Sequence, residues 1–314
     1  MNKLLLAALI SGAMAVPAFA ADYTIMAPAA PGGGWDQTAR SMQEALQAEG
    51  ISGNVQVTNV PGAGGTIGLA QFVNQSAGNP DALIVGGYVM VGAILTNASP
   101  VTLDQVTPIA RLTGEAVVIV VPAASELQTM DDLVAKLKAD PGSVAWAGGS
   151  AGGADHITAG LIAKTVGVDP TTVNYIAYSG GGEALAALLG GQVTVGISGY
   201  SEFSGQIAAG ELRLLAVSSD TRIPGVDAPT LQEAGVDMAL QNWRMVAAAP
   251  GITDEQKAAI TADIEKMVNS AAWQATLETK GWVNTYLAGD EFTAQLAADT
   301  EATAAILKDI GLVQ

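Results

Sequence analysis

The chain is poor in side chains that do covalent chemistry. It has one histidine, His156, and no cysteine. Thiolate metal sites and disulfides are therefore excluded, and most histidine-based metal sites and catalytic dyads go with them. Gly148-Gly149-Ser150-Ala151-Gly152 matches G-x-S-x-G, the nucleophile elbow of serine hydrolases. His156 follows almost at once, on the next predicted helix, whereas such hydrolases bring their base late in the chain from another loop. The stretch reads first as a loop and only second as a secreted serine hydrolase built on Ser150. Gly62–Gly68 fails the dinucleotide pattern G-x-G-x-x-G, because Ile67 stands where the third glycine belongs. No phosphate-binding G-x-x-x-x-G-K-[ST] occurs. No metal and no cofactor is expected.

The chemistry left is carried by backbone. Gly32-Gly33-Gly34 runs directly into Trp35-Asp36 and a helix, and "GGSAGGADH" and "SGGG" repeat that placement at Gly148–His156 and Ser179–Gly182. The first N–H groups of a helix have no intrahelical partner. With the helix dipole they form an anion site. Glycine lets that backbone come close to a ligand or take a positive φ. None of the three loops contains Lys or Arg, so an anion held there would be held by N–H groups. The competing reading of each loop is a tight turn.

Asp36 is either a first-turn acid pairing with Arg40 or a ligand contact. Trp35 is either a cleft wall or core. His156 is either structural or a ligand contact. Arg244 reads first as a surface or hinge salt bridge and second as a group reaching a further ligand carboxylate.

These loops need elements to hold them. Tyr23–Met26 reads as a strand before the first loop. After it, Trp35, Ala39, Met42 and Leu46 fall on one helix face. Val55–Val60 leads through "PGAGG" to Thr66, a predicted N-cap, and a helix from Ile67. Leu83–Val85 leads to Gly86-Gly87-Tyr88, and Val117–Val121 is a β-branched run ended by Pro122. The pattern restarts with a helix over Asp131–Lys138 and strands at Val144–Ala147, Val173–Tyr178, Val193–Ile197 and Leu212–Val217. After Trp243 the chain is expected to turn helical, over Asp254–Val268 and Glu291–Leu307. Strands alternating with helices predict an α/β protein with parallel sheets covered on both faces. Two runs of the pattern predict two lobes, joined by extended crossovers near Val120–Ala124 and Leu240–Val246.

Residues 1–20 do not fit that pattern. Lys3, the apolar run Leu4–Val16 and Ala18-Phe19-Ala20 read as a secretory signal cleaved before Ala21. The apolar run is too short to span a bilayer. The net charge is −17, without a basic cluster, which argues against a nucleic-acid partner.

"PGGGWDQTAR", "NVPGAGGTIG", "GGSAGGADH", "NYIAYSGGGEA" and "NWR", in that order, resemble the TctC or Bug family, the periplasmic receptors of tripartite tricarboxylate transporters. The resemblance covers essentially all of the chain after residue 20. It implies a type II periplasmic-binding-protein fold, two α/β lobes around a ligand cleft. The expected division is residues 21–121 with 244–314 in one lobe and 122–243 in the other. It also implies that glycine loops of both lobes hold a ligand carboxylate. The candidate ligand residues are Gly32, Gly33, Gly34, Trp35 and Asp36, then Gly65, Thr66 and Tyr88, then Ser150, Ala151, Gly152, Gly153 and His156. Tyr178, Gly180 and Gly181 with Ser198, Gly199 and Tyr200 complete the set. By resemblance alone, the ligand is a citrate-like tricarboxylate and the partners are the membrane permease subunits, with the receptor itself a monomer. A receptor feeding a sensor kinase would use the same site.

Overall fold

The computed structural model describes residues 21–314, so the predicted signal lies outside the described residues. In the first lobe, β1 (Ala21–Ala27) feeds α1 (Gly34–Ala48), and β2 (Ser52–Asn59) feeds α2 (Thr66–Gln75). The predicted face of α1 packs inward: Trp35, Ala39, Met42 and Leu46 are all buried. Next, β3 (Ala82–Gly87) is buried along its whole length, as a central strand must be, and α3 (Tyr88–Thr96) follows without a break.

A 16-residue strand, β4 (Thr107–Pro122), then crosses into the second lobe. It is followed by α4 (Met130–Ala139), β5 (Ala145–Gly148), α5 (Ala154–Thr165), β6 (Asn174–Ala177), α6 (Gly181–Leu189), β7 (Val195–Gly199), α7 (Tyr200–Ala208) and β8 (Leu212–Val217). The chain returns through β9 (Gln241–Ala248) and closes the first lobe with α8 (Asp254–Val268), α9 (Ala271–Lys280), β10 (Val283–Ala288) and α10 (Gly289–Asp309).

Among the described residues the strands form one sheet in the order β2-β1-β3-β9-β4-β7-β5-β6, with β8 and β10 also on β4. Pairing is parallel for β1 with β2 and β3, and for β5 with β6 and β7. It is antiparallel wherever β4 or β9 takes part. The sheet is therefore mixed where alternation predicted parallel, because the two crossing strands run against each other. Gln241–Ala248 is a strand at the extended crossover expected near Leu240–Val246, and the helix expected over Asp254–Val268 follows it as α8. Local propensity did not show that this run would be claimed by β3 and β4.

The crossing strands locate the joint between lobes. Thr107–Ala116 pairs with β9, and Val117–Pro122 pairs with β7 and β8. The exchange of partners falls between Ala116 and Val117, earlier than the boundary expected at Val121. On the return, the Leu240 N–H still donates to Ser218 in the second lobe, at 2.8 Å. Gln241 already pairs with Ala116.

Candidate functional site

A cavity of about 410 Å³ lies between the lobes, within the range of small-ligand sites. Its walls are the starts of helices. Gly33, Gly34 and Trp35 come from α1, Gly62–Gly65 precede α2, Gly149–Ser150–Ala151 and Gly153 precede α5, and Tyr178–Gly181 lead into α6. Ser198 and Glu202 line it from β7 and α7, and Asn242 and Arg244 from β9.

Each of these four helices is capped by a glycine, Gly33, Gly65, Gly153 or Gly180, with no side-chain cap. By contrast, α4, α8 and α9 are capped by Thr129, Thr253 and Ser270, whose hydroxyls accept a helix N–H. Where a helix start faces the cavity, no cap side chain takes its donors; of the four, α6 has its first N–H, that of Gly181, taken by Glu202 of α7.

The loops are held from behind by acids of the following helix. The Asp36 carboxylate accepts the Gly32 N–H at 2.8 Å, Asp155 accepts Gly149 N–H at 2.8 Å, and Glu183 accepts Ser179 N–H at 3.0 Å. Asp36 also takes Arg40 Nε at 3.0 Å and Asn59 Nδ2 at 2.9 Å. Burial works to raise its pKa, but these hydrogen bonds prevail and hold it below the usual carboxylate range. Its oxygens are spent on the loop, and Asp36 does not line the cavity.

His156 also stands behind the wall. Its Nδ1 accepts the Gly152 N–H at 3.2 Å, and its ring stacks on Tyr175 with centroids 4.1 Å apart. Burial lowers its pKa to about 4, so near neutral pH the ring is uncharged and serves the loop. Ser150 lies on the cavity wall, and His156 is occupied elsewhere.

Of the other candidates, Gly33, Gly34, Trp35, Gly65, Ala151, Gly153, Tyr178, Gly180, Gly181 and Ser198 line the cavity. Gly32, Thr66, Tyr88, Gly152, Gly199 and Tyr200 do not. Thr66 is the first residue of α2, not its cap, and its hydroxyl donates to Ala63 O at 2.9 Å. Tyr88 tilts against Trp243, with ring centroids 6.3 Å apart, and burial pushes its hydroxyl up to about 12. Gly199 backs onto the Glu115 carboxylate. Trp35 reconciles its two readings: it is buried and still forms part of the wall.

Sequence reasoning singled out Arg244 but missed the buried acids around it in the charged floor. Arg244 is 1% exposed and pairs with Glu115, which is fully buried. It is a hinge-strand ion pair, as the first reading had it, but internal and not at the surface. Glu115 also accepts the Ser201 N–H at 2.7 Å, tying β4 to the start of α7. The guanidinium stacks over Trp282 at 5.1 Å, and its Nη1 is buried without a hydrogen-bond partner. A Cβ on Gly34 would collide with Nη2, so α1 starts directly on the guanidinium. Glu202 and Asp155 complete the floor. Asp155 is raised to about 7, by burial first and then by Glu202 and Glu115, against the Gly149 N–H and Arg244. The only signal available for these groups was their place after a glycine loop or beside a crossing strand.

Solved structures share this architecture. The periplasmic binding protein BugD superposes with a TM-score of 0.84 at 21% identity, over 93% of this chain and 98% of that one. MatC from Rhodopseudomonas palustris, solved with bound malate, gives 0.77 at 23% identity, over 94% and 99%. The fold is thus that of the periplasmic binding proteins, two α/β lobes around a cleft. Residues 38–312 match the family described as the tripartite tricarboxylate transporter family receptor, TctC. Protein BugT of Bordetella pertussis is 28% identical over 294 residues, 91% of this chain and 88% of BugT. The chain belongs to the TctC/Bug family of periplasmic solute-binding receptors.

Proposed function

We propose that this protein captures a small polycarboxylate, a citrate-like tricarboxylate foremost, and presents it to the permease subunits of a tripartite tricarboxylate transporter. The observation that carries the reading is the convergence of four glycine-capped helix starts on one cavity. Their N–H groups favour negative charge without a free basic side chain, and Arg244 is already paired with Glu115. The malate bound to MatC supports the carboxylate class. Export follows from the signal-like residues 1–20, with the working receptor starting at Ala21, in the periplasm, as a monomer.

Calorimetry on ligand-stripped protein with citrate and malate tests the reading. Micromolar or tighter binding is expected, about −8 kcal/mol. A panel of di- and tricarboxylates that gives no heat at any pH overturns it. Native mass spectrometry of the freshly purified protein identifies any ligand carried from the cell.

A further inference from the structure

The cavity carries a carboxylate of its own, that of Glu202. Glu202 reaches from the first turn of α7 to the start of α6. Its Oε1 accepts the Gly181 N–H at 3.0 Å, and its Oε2 accepts the Ser198 hydroxyl at 2.8 Å. An atom in the Cβ position of Gly33, or of Gly180, would lie 4.0 Å from Oε1. The carboxylate therefore sits between the starts of α1 and α6, where an incoming carboxylate would seek the same donors.

The charged groups around Glu202 come from each neighbouring element. Glu115 faces it from β4, Arg244 from β9 and Asp155 from α5. On α6, Glu183 is turned to the Ser179 N–H. Arg244 is the only cation among these groups. With all of them ionised the floor is net negative before any ligand arrives. Like charges at such separations in a low-dielectric site do not all stay ionised.

We propose that Glu202 gates the cavity by charge: a carboxylate ligand binds together with one solvent proton, which Glu202 takes up. The proton goes to Oε1. The neutral acid then frees the Gly181 N–H for the ligand and turns from a repelling charge into a hydrogen-bond donor. Burial, and then Glu115, already raise the Glu202 pKa, against Arg244, Ser198 and the Gly181 N–H. An anion in the cavity acts in the same direction. This inference rests on the carboxylate reading of the site.

The test is calorimetry with malate and with citrate, in two buffers of different ionisation enthalpy, across pH 6 to 9. Above pH 7 carboxyls of ordinary pKa on the free ligand are ionised, so proton uptake reports on the protein. We expect uptake approaching one proton at pH 8 and affinity that falls about tenfold per pH unit above the Glu202 pKa. Glu202→Gln keeps the shape and the Ser198 contact, and should bind without uptake and with flat pH dependence. Asp155→Asn removes the other titratable acid of the floor; whatever its affinity, each ligand it binds should still bring a proton. Binding by the unaltered protein without proton uptake overturns the gate and leaves the carboxylate reading standing. Uptake that persists in Glu202→Gln and disappears in Asp155→Asn also overturns it. No binding of either ligand at any pH overturns both. If Glu202→Gln fails to fold by circular dichroism, carboxyl ¹³C NMR of the unaltered protein reads the same event. One glutamate should titrate at higher pH with malate present, and unchanged glutamate titrations would refute the proposal.

Discussion

Arg244 and Glu115 hold each other where water does not reach, and that makes each dangerous to remove alone. Arg244→Gln leaves Glu115 buried without its cation, and a stability loss of about 3–5 kcal/mol is expected in denaturant titration. Arg244→Met with Glu115→Gln should lose less than the sum of the single changes, since neither charge is then stranded.

The glycines of the first loop separate strain from contact. Gly32 has φ +85 with open space around it, and Gly32→Ala should cost roughly 1–2 kcal/mol for the left-handed backbone. Gly33 has φ −69, an ordinary extended backbone. Gly34→Ala drives a methyl into the pinned Arg244 guanidinium. It should disturb ligand binding as well as stability, and comparing calorimetry with melting separates the two.

Asp155 sets a pH dependence. Its folded pKa, about 7, lies above the ordinary value near 4. The folded state therefore holds a proton that the unfolded state has lost. The stabilisation is full below about pH 4 and disappears as pH rises through 7, a change of roughly 4 kcal/mol at most. Melting temperature should fall between pH 4.5 and 7.5, and less steeply in Asp155→Asn.

For the helices, the question is what occupies the first turn. Gly33 already has N-cap geometry, φ −69 and ψ 163, without a cap hydrogen bond. Gly33→Ser offers a hydroxyl to the donors at the start of α1, and should leave stability equal or a few tenths of a kcal/mol higher. If those donors serve the ligand, malate affinity should drop about tenfold, which is roughly 1.4 kcal/mol. Unchanged affinity would mean that the loop is only a turn. At α8 the reverse change, Thr253→Ala, removes the bond to the Gln256 N–H. It should cost about 1 kcal/mol of stability and leave malate binding alone, because Thr253 does not line the cavity.

Across the whole molecule the lobes meet around the cavity. A Cβ on Gly180 would lie 3.7 Å from Gly33 Cα, one on Gly64 3.3 Å from Ser150 Cβ, and one on Gly153 2.9 Å from a Val89 methyl. Helix starts of both lobes can reach one small anion only in such an arrangement. A ligand favours it by its differential affinity and by no more. The two crossing points, Ala116/Val117 and Leu240/Gln241, are the places where a rotation would be absorbed. Small-angle scattering of stripped protein should give a radius of gyration that falls on adding malate. Superimposable curves would indicate a rigid pocket and would move recognition by the permease to some other feature.

Much of this was legible along the chain, because it is local. The face of α1 and the glycine loops after β1 and β5 follow from periodicity and capping chemistry, which act within a few residues. The family motifs lie in those same loops. What the chain alone left open depends on residues distant in sequence. Gln241–Ala248 was legible as an extended crossover, but its pairing with β3 and β4 on its two sides was not. Arg244 becomes internal only because Glu115, far upstream on the crossing strand, is there to meet it. His156 and Asp36 could each have faced a ligand or supported a loop. Tertiary packing decided both, placing Tyr175 against one and Asn59 against the other. Local rules identify where an anion site can form. Only the folded arrangement determines which side chains stand at its wall and which stand behind it, because burial and pairing are set by contacts between segments that the sequence holds far apart.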